Sequence, residues 1–211
     1  MPDTPHAAIP VSAPPARTTL ALGRPRFADA TLSRIAQAEG AAAAWQAAVA
    51  GRSREQAMAT AAATAGSFAV GITDAQGRVF LAVDRFAEET LCWRVIDGTL
   101  HYAERADTLA ALPPRAEIDP QAVYDYLFFH VIPSPRTIFR GVHRLPPAHG
   151  LWFEHGQVSV QPFWLPAFTE PTQADFSALA GEFRRLVREA VATELDGSKP
   201  ACFLSGGTDS S

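Results

Sequence analysis

The strongest chemical signal in this sequence is the C-terminal string Ser-Gly-Gly-Thr-Asp-Ser-Ser at residues 205–211. Its two glycines carry no Cβ, so their backbone N–H groups can approach an oxyanion closely. The serine and threonine hydroxyls add donors, and the aspartate could cap a following helix or help to hold a magnesium ion. We therefore predict a phosphate-binding loop rather than an ordinary Ser/Gly-rich turn. It is not a Walker loop, because no Gly-Lys-Ser/Thr follows.

The residues before this string predict the elements that position it. Ala201–Leu204 is typical of a short buried strand, and an amphipathic helix precedes that strand. A helix followed by a buried strand and then by a glycine pair is typical of an α/β fold. The order predicts that the loop lies at the carboxyl edge of the sheet. The apolar stripe of the predicted helix consists of Phe176, Leu179, Phe183, Leu186, Val187, Ala190 and Val191.

A different pattern occupies the chain before Pro166. Two Ala-rich helices begin near Asp29 and Ser53, with Gly40 as a break, and Asp119 followed by proline starts a third helix. Between them the apolar period changes from 3.6 to 2, which predicts an antiparallel meander of about four strands. The predicted strands are residues 67–72, 78–83, 91–96 and 99–103, and a further hairpin joins 151–154 to 157–160.

Composition excludes several classes of protein. The 211 residues are 47% hydrophobic and 19% charged, so a sizeable core can form. The net charge of −4 offers no basic field for nucleic acid, and no apolar run is long enough to span a bilayer. Residues 1–23 are rich in proline and alanine and predict a flexible lead without a secretory signal. Cys92 and Cys202 are the two cysteines, so we expect a reducing, cytoplasmic environment.

Other reactive side chains favour structural roles. The six histidines show no metal-ligand spacing, so no metal site is predicted, and His149 is interpreted as structural rather than catalytic. Asp84 with Arg85 could serve a site or could end a strand as a salt bridge. Both cysteines lie in apolar runs and are interpreted as core. A solvated helix face is predicted for Arg184, Arg185 and Arg188.

The C-terminal string resembles the pyrophosphate loop of N-type ATP pyrophosphatases, and upstream segments select the asparagine synthetases among them. Order and spacing match from about Gly66 to Ser211. The segments that carry the resemblance are Gly66-Ser67-Phe68-Ala69, Asp84-Arg85-Phe86, Thr137-Ile138-Phe139-Arg140-Gly141-Val142, Leu145-Pro146-Pro147-Ala148-His149 and Phe163-Trp164.

The resemblance implies two domains. Residues 24–166 would form a degenerate glutamine amidotransferase domain, an α+β, N-terminal-nucleophile-like αββα sandwich of antiparallel sheets. Residues 167–211 would begin an α/β ATP-pyrophosphatase domain of the adenine nucleotide alpha hydrolase type, which is incomplete here. ATP and Mg²⁺ are the implied cofactors, and a carboxylate and an amine or ammonia are the implied substrates. The implied ATP- and pyrophosphate-binding residues are Leu204, Ser205, Gly206, Gly207, Thr208, Asp209 and Ser210.

The chain departs from the family where glutamine is hydrolysed. Pro2 stands where the family has its cysteine nucleophile, and the sequence has no asparagine for the family's Asn-Gly oxyanion hole. We predict no catalytic residue and no glutaminase activity. Because most of a synthetase domain would follow Ser211, we expect a longer protein or a fragment that makes no amide itself. The open alternatives are a β-lactam- or macrolactam-forming enzyme and an inactive scaffold, and a homodimer is also open.

Overall fold

The computed structural model describes residues 18–169, 175–195, 197 and 199–201. The chain divides into two compact units, Met1–Pro166 and Ala167–Ser211. The first unit contains the helices α1 (Ala30–Glu39), α2 (Ala41–Val49), α3 (Arg54–Ala63), α4 (Ala106–Ala110) and α5 (Pro120–Phe129). Its strands are β1 (Thr18–Gly23), β2 (Phe68–Thr73), β3 (Val79–Val83), β4 (Cys92–Ile96), β5 (Thr99–Ala103), β6 (His143–Arg144), β7 (His149–Glu154) and β8 (Gln157–Pro162).

The strands of the first unit form two antiparallel sheets. The larger has the order β1-β2-β3-β7-β8, and the smaller has the order β5-β4-β6. All three predicted hairpins are present: β2 with β3, β4 with β5, and β7 with β8. The first two lie in different sheets. The predicted four-stranded meander is therefore wrong. Its error has a physical cause: β7 occupies the free edge of β3, so β4 cannot continue the same sheet.

Both faces of the larger sheet are buried, which defines the layers of the fold. Alternate residues point to opposite faces of a strand. Phe80 and Ala82 of β3 therefore pack in a cluster with Trp45 and Ala57 from α2 and α3. Val79, Leu81 and Val83 pack on the other face in a cluster that includes Leu100 of the smaller sheet. A third cluster joins Cys92 to Leu109 and Ala110 of α4. The order is helix, sheet, sheet, helix, and the predicted αββα class is confirmed.

The predicted lead is partly wrong. Thr18–Gly23 forms β1 and pairs antiparallel with β2 along its whole length, from Thr18 opposite Thr73 to Gly23 opposite Phe68. The prolines that suggested a lead fall at residues 2–15, before this strand. Residues 1–17 lie outside the described part of the chain.

Helix starts follow the capping residues that the sequence indicated. Asp29 caps α1 by accepting the N–H groups of Thr31 and Leu32 at 2.8 and 2.9 Å. Ser53 starts α3 in a reciprocal capping box with Gln56. Asp119 caps α5, whose first residue is Pro120. These helix starts could therefore be predicted from the sequence, because each depends on a capping side chain next to the helix.

The second unit contains α6 (Phe176–Glu194), which begins at the cap Asp175. Its apolar side chains are largely exposed, from Phe176 at 83% to Val187 at 45%. The basic face is also exposed, and Arg185 pairs with Glu182 and Glu189. Of the predicted strand 201–204, only Ala201 is described, and it is irregular. None of the described helices has the length and apolarity that crossing a membrane requires.

Candidate functional site

The predicted phosphate loop cannot be placed. Its residues, Leu204, Ser205, Gly206, Gly207, Thr208, Asp209 and Ser210, lie outside the described part of the chain, as does Cys202. Their assignment to ATP and pyrophosphate stays a prediction. The remaining candidate residues, Asp84, Arg85, Cys92 and the histidines within the described residues, lie in the first unit.

Asp84 is buried at the end of β3, and backbone amides surround its carboxylate. Its Oδ1 accepts the N–H groups of Phe86 at 2.9 Å and Glu88 at 3.2 Å. Its Oδ2 accepts those of Phe68 and Glu89, both at 3.2 Å. The carboxylate therefore organises the turn after β3 and ties it to β2, and both of its oxygens are used. The alternative of a salt-bridged strand end is wrong for Asp84, because its partners are main-chain groups.

Arg85 points away from Asp84 and joins two other parts of the unit. Its Nη2 donates to the carbonyl of Ala62 near the end of α3 at 3.4 Å. Its guanidinium lies 5.5 Å from the ring centre of Trp164, which also contacts Phe86 edge-on at 6.0 Å. These contacts pack the segment after β8 against the turn. They give Arg85 a structural role.

Cys92 is the cysteine that falls within the described residues, and its environment makes it a poor nucleophile. Only 3% of its surface is exposed, among Leu109, Ala110 and Val142. Burial raises the pKa of the Cys92 thiol, so less of the reactive thiolate forms at neutral pH. The interpretation of Cys92 as core is confirmed.

The histidines in the described residues have local, structural surroundings. His149 begins β7, and its Nδ1 lies 2.8 Å from the carbonyl oxygen of Pro147. Desolvation lowers the pKa of His101 and of His143, which favours the neutral imidazole at pH 7. Among the described residues, no three His, Cys, Asp or Glu side chains are grouped to hold a metal ion.

A cavity of about 270 Å³ opens beside the start of β1. Thr19 lines it, and the Thr19 hydroxyl accepts a hydrogen bond from Gln46 Nε2 at 2.7 Å. Arg78 also lines it, pairs with Asp74 and lies over the ring of Trp152 at 5.9 Å. Among the described residues no thiol lines the cavity, and the Thr19 hydroxyl faces an amide donor rather than a base. These lining residues can bind a small molecule, but none of them is an activated nucleophile.

Comparison with known proteins decides the family. A family model described as a glutamine amidotransferase domain matches residues 51–164, just over half of the chain. The chain belongs to the glutamine amidotransferase domain family. The match includes β2 to β8, and so covers both sheets except for β1.

The relatives of this amidotransferase domain include asparagine synthetases, which confirms the predicted resemblance. It is 27% identical over 132 residues to the glutamine-hydrolysing asparagine synthetase 1 of Bacillus subtilis, covering 62% of this chain and 21% of that protein. It is 30% identical over 152 residues to the amidase chyE of Penicillium rubens, and this match covers 69% of this chain and 22% of that protein. The chain thus spans between a fifth and a quarter of the length of these relatives.

Two solved structures are similar to this amidotransferase domain. One is the glutamine phosphoribosylpyrophosphate amidotransferase of B. subtilis with ADP and GMP, at a TM-score of 0.42 and 11% identity, covering 70% of this chain and 30% of that one. The other is an allosteric regulatory enzyme of purine biosynthesis, at a TM-score of 0.42 and 10% identity, and the match covers 71% of this chain and 29% of that one.

Proposed function

We propose that this chain is the amidotransferase-like part of an ATP-dependent, amide-forming ligase of the asparagine synthetase type, and that it does not hydrolyse glutamine. The ligase would activate a carboxylate as an acyl-adenylate, and an amine or ammonia would attack it. The order of family motifs from Gly66 to Ser211 and the asparagine synthetase relatives support the ligase class. ATP and Mg²⁺ would be its cofactors, bound by the predicted residues Leu204 to Ser210.

The observation that carries the loss of glutamine hydrolysis is the lack of a usable nucleophile in the described fold. Attack on an amide by a cysteine requires a thiolate with a nearby base. Cys92, the cysteine within the described residues, is buried with a raised pKa. The sequence also contains no asparagine, so the family's Asn-Gly oxyanion hole cannot form.

Glutaminase assays test this part of the proposal. The purified chain is incubated with glutamine, and glutamate is measured against a heat-denatured sample. We expect no difference, with the B. subtilis asparagine synthetase 1 as the active control. A Cys92→Ser variant should match the unsubstituted chain. Glutamate release that survives purification would contradict the proposal, and its loss in Cys92→Ser would identify the Cys92 thiol as the nucleophile.

Exchange of labelled pyrophosphate into ATP tests the ligase part. The protein, with any continuation that its gene encodes, is supplied with Mg²⁺, ATP and a panel of carboxylic acids. We expect exchange that depends on one acid, and we expect its loss in Gly207→Val, because the added side chain blocks the main-chain amides from phosphate. A folded protein that neither exchanges nor binds ATP would favour the alternative of an inactive scaffold.

Formation of a β-lactam or macrolactam is the second candidate. It is favoured by the same lack of a nucleophile, because an enzyme that uses an amine within its own substrate needs no ammonia from glutamine. A product formed from one substrate in the absence of ammonia distinguishes this candidate from asparagine-type synthesis.

A further inference from the structure

The helix α5 has its large apolar side chains on its solvent side, whereas a helix of a globular domain normally buries its apolar stripe. The buried residues of α5 are Ala122 and Asp125. Successive residues lie about 100° apart around a helix, so the positions opposite this pair form one stripe. These positions are Val123, Tyr124, Leu127 and Phe128. Their exposed fractions rise from 38% at Val123 to 70% at Leu127. This outward stripe of α5 indicates a surface for contact with another molecule.

Polar contacts, rather than the outward stripe, hold α5 in place. Asp125 pairs with Arg136 on the segment that follows the helix, and its other carboxylate oxygen accepts from Gln121 Nε2 at 2.8 Å. Asp119 caps the start of the helix. The three core clusters of the described residues contain none of the four side chains of the stripe. The stripe can therefore be changed without removing a core residue.

The outward stripe is ordered and uncharged. The rings of Tyr124 and Phe128 stack on each other, with centres 6.2 Å apart and planes inclined by 12°. A ring that its neighbour already holds loses less rotamer freedom when a partner covers it. The one charged residue within α5 is Asp125, which is buried on the opposite side of the helix. Two copies of this stripe can therefore meet without bringing like charges together.

The area of the stripe is close to what a dimer requires. With about 200 Å² for a whole large side chain, the exposed fractions of the four residues amount to roughly 450 Å². A standard interface buries about 800 Å² on each partner, and about 65% of a homodimer interface, or about 500 Å², is apolar. Ile118 and Val131, which flank α5 in the sequence, are also more than half exposed.

We propose that two copies of this chain form a dimer in which the outward stripes of α5 pack on each other. The dimer has a two-fold axis, because the same surface of both copies takes part. The two helices cross near Leu127, and the stacked rings of each copy pack against the stripe of the other. The proposal goes beyond the ligase assignment and does not depend on it.

The mass of the full chain in solution tests this proposal. Light scattering and sedimentation velocity are recorded from about 1 to about 100 µM, a range that brackets a micromolar dissociation constant. We expect the mass to rise with concentration from that of one chain to that of two. The protein with any continuation that its gene encodes is measured in the same way and should also dimerise. A longer protein that stays monomeric would assign the stripe to contact with that continuation and would overturn the proposal.

Three variants locate the interface. Leu127→Glu and Phe128→Glu each place the carboxylates of both copies at the interface, and each should raise the dissociation constant at least about thirtyfold. Phe183→Glu is the matched control, since Phe183 on α6 is 68% exposed, against 65% for Phe128. It should leave the dissociation constant unchanged. The unfolding midpoint at the lowest concentration should be the same in all three, because each side chain is exposed. A monomer at every concentration, an undiminished dimer in Phe128→Glu, or an equal loss in Phe183→Glu would refute the interface.

Discussion

Asp84 illustrates how one residue in this protein can look functional and act structurally. Its position in a family motif suggested a site or an ion pair, whereas its carboxylate is occupied by four main-chain N–H groups. A carboxylate that accepts several backbone donors fixes the loop that supplies them. The motif at Asp84 therefore has a structural role, because its carboxylate stabilises a turn.

Replacement of Asp84 by asparagine should therefore destabilise the first unit. The amide would lose the charge-assisted hydrogen bonds and would point its own NH₂ group at N–H donors. We expect a loss of about 2–3 kcal/mol in the free energy of unfolding, measured by urea denaturation at pH 7. Asp97→Asn is the matched control, since Asp97 is exposed in a turn at φ 48°, a conformation that asparagine accepts. A loss no larger than that of this control would show that the carboxylate is dispensable.

At the scale of the elements, contact between the two sheets depends on one glycine. A Cβ at Gly71 of β2 would lie 2.4 Å from Cε2 of the Tyr102 ring on β5. The ring is held in place by its hydroxyl, which lies 3.3 Å from Thr73 Oγ1 and donates to the carbonyl of Thr18 at 3.2 Å. The partly buried ring therefore needs a residue without a side chain beneath it.

Gly71→Ala should force the sheets apart locally, at a cost of about 1–3 kcal/mol in the free energy of unfolding. Thermal and urea unfolding measure this change. In a Tyr102→Ala background the same substitution should cost little, because the ring that it meets is gone. Equal costs in both backgrounds would mean that the inter-sheet contact is not responsible.

At the scale of the whole molecule, the buried side chains among the described residues belong to the first unit. The three core clusters draw on residues between Leu20 and Phe163, and each lies between two layers of the αββα sandwich. The one described helix of the second unit, α6, buries none of its residues. The first unit thus contains a complete set of packed layers.

A chain shortened to residues 1–166 should consequently fold. Its thermal unfolding should stay cooperative, with a midpoint close to that of the first unit in the longer chain, because the shortened chain keeps every residue of the three core clusters. Near-UV circular dichroism and calorimetry provide the measurement, and the tryptophans Trp45, Trp93, Trp152 and Trp164 all remain in it. A fragment that is soluble but has lost its near-UV signal would refute the independence of this unit.

The sequence by itself predicted those features that depend on residues close together in the chain. Caps at Asp29, Ser53 and Asp119 began helices, and the Asp97-Gly98 pair turned β4 into β5. The sequence also predicted the family, because its short motifs in a fixed order suggested the asparagine synthetases, which are among the relatives of the chain at 27% identity. Each of these signals depends on residues that lie close together in the chain.

Tertiary structure alone decided which distant residues meet. The pairing of β3 with β7 joins residues about 70 positions apart, and this pairing divided the predicted meander between two sheets. β1 became a strand because β2 offered it an edge, and Asp125 met Arg136 because α5 packs beside the segment that follows it. Such contacts offset the entropy of closing long loops only once the whole core has formed, so no local pattern specifies them.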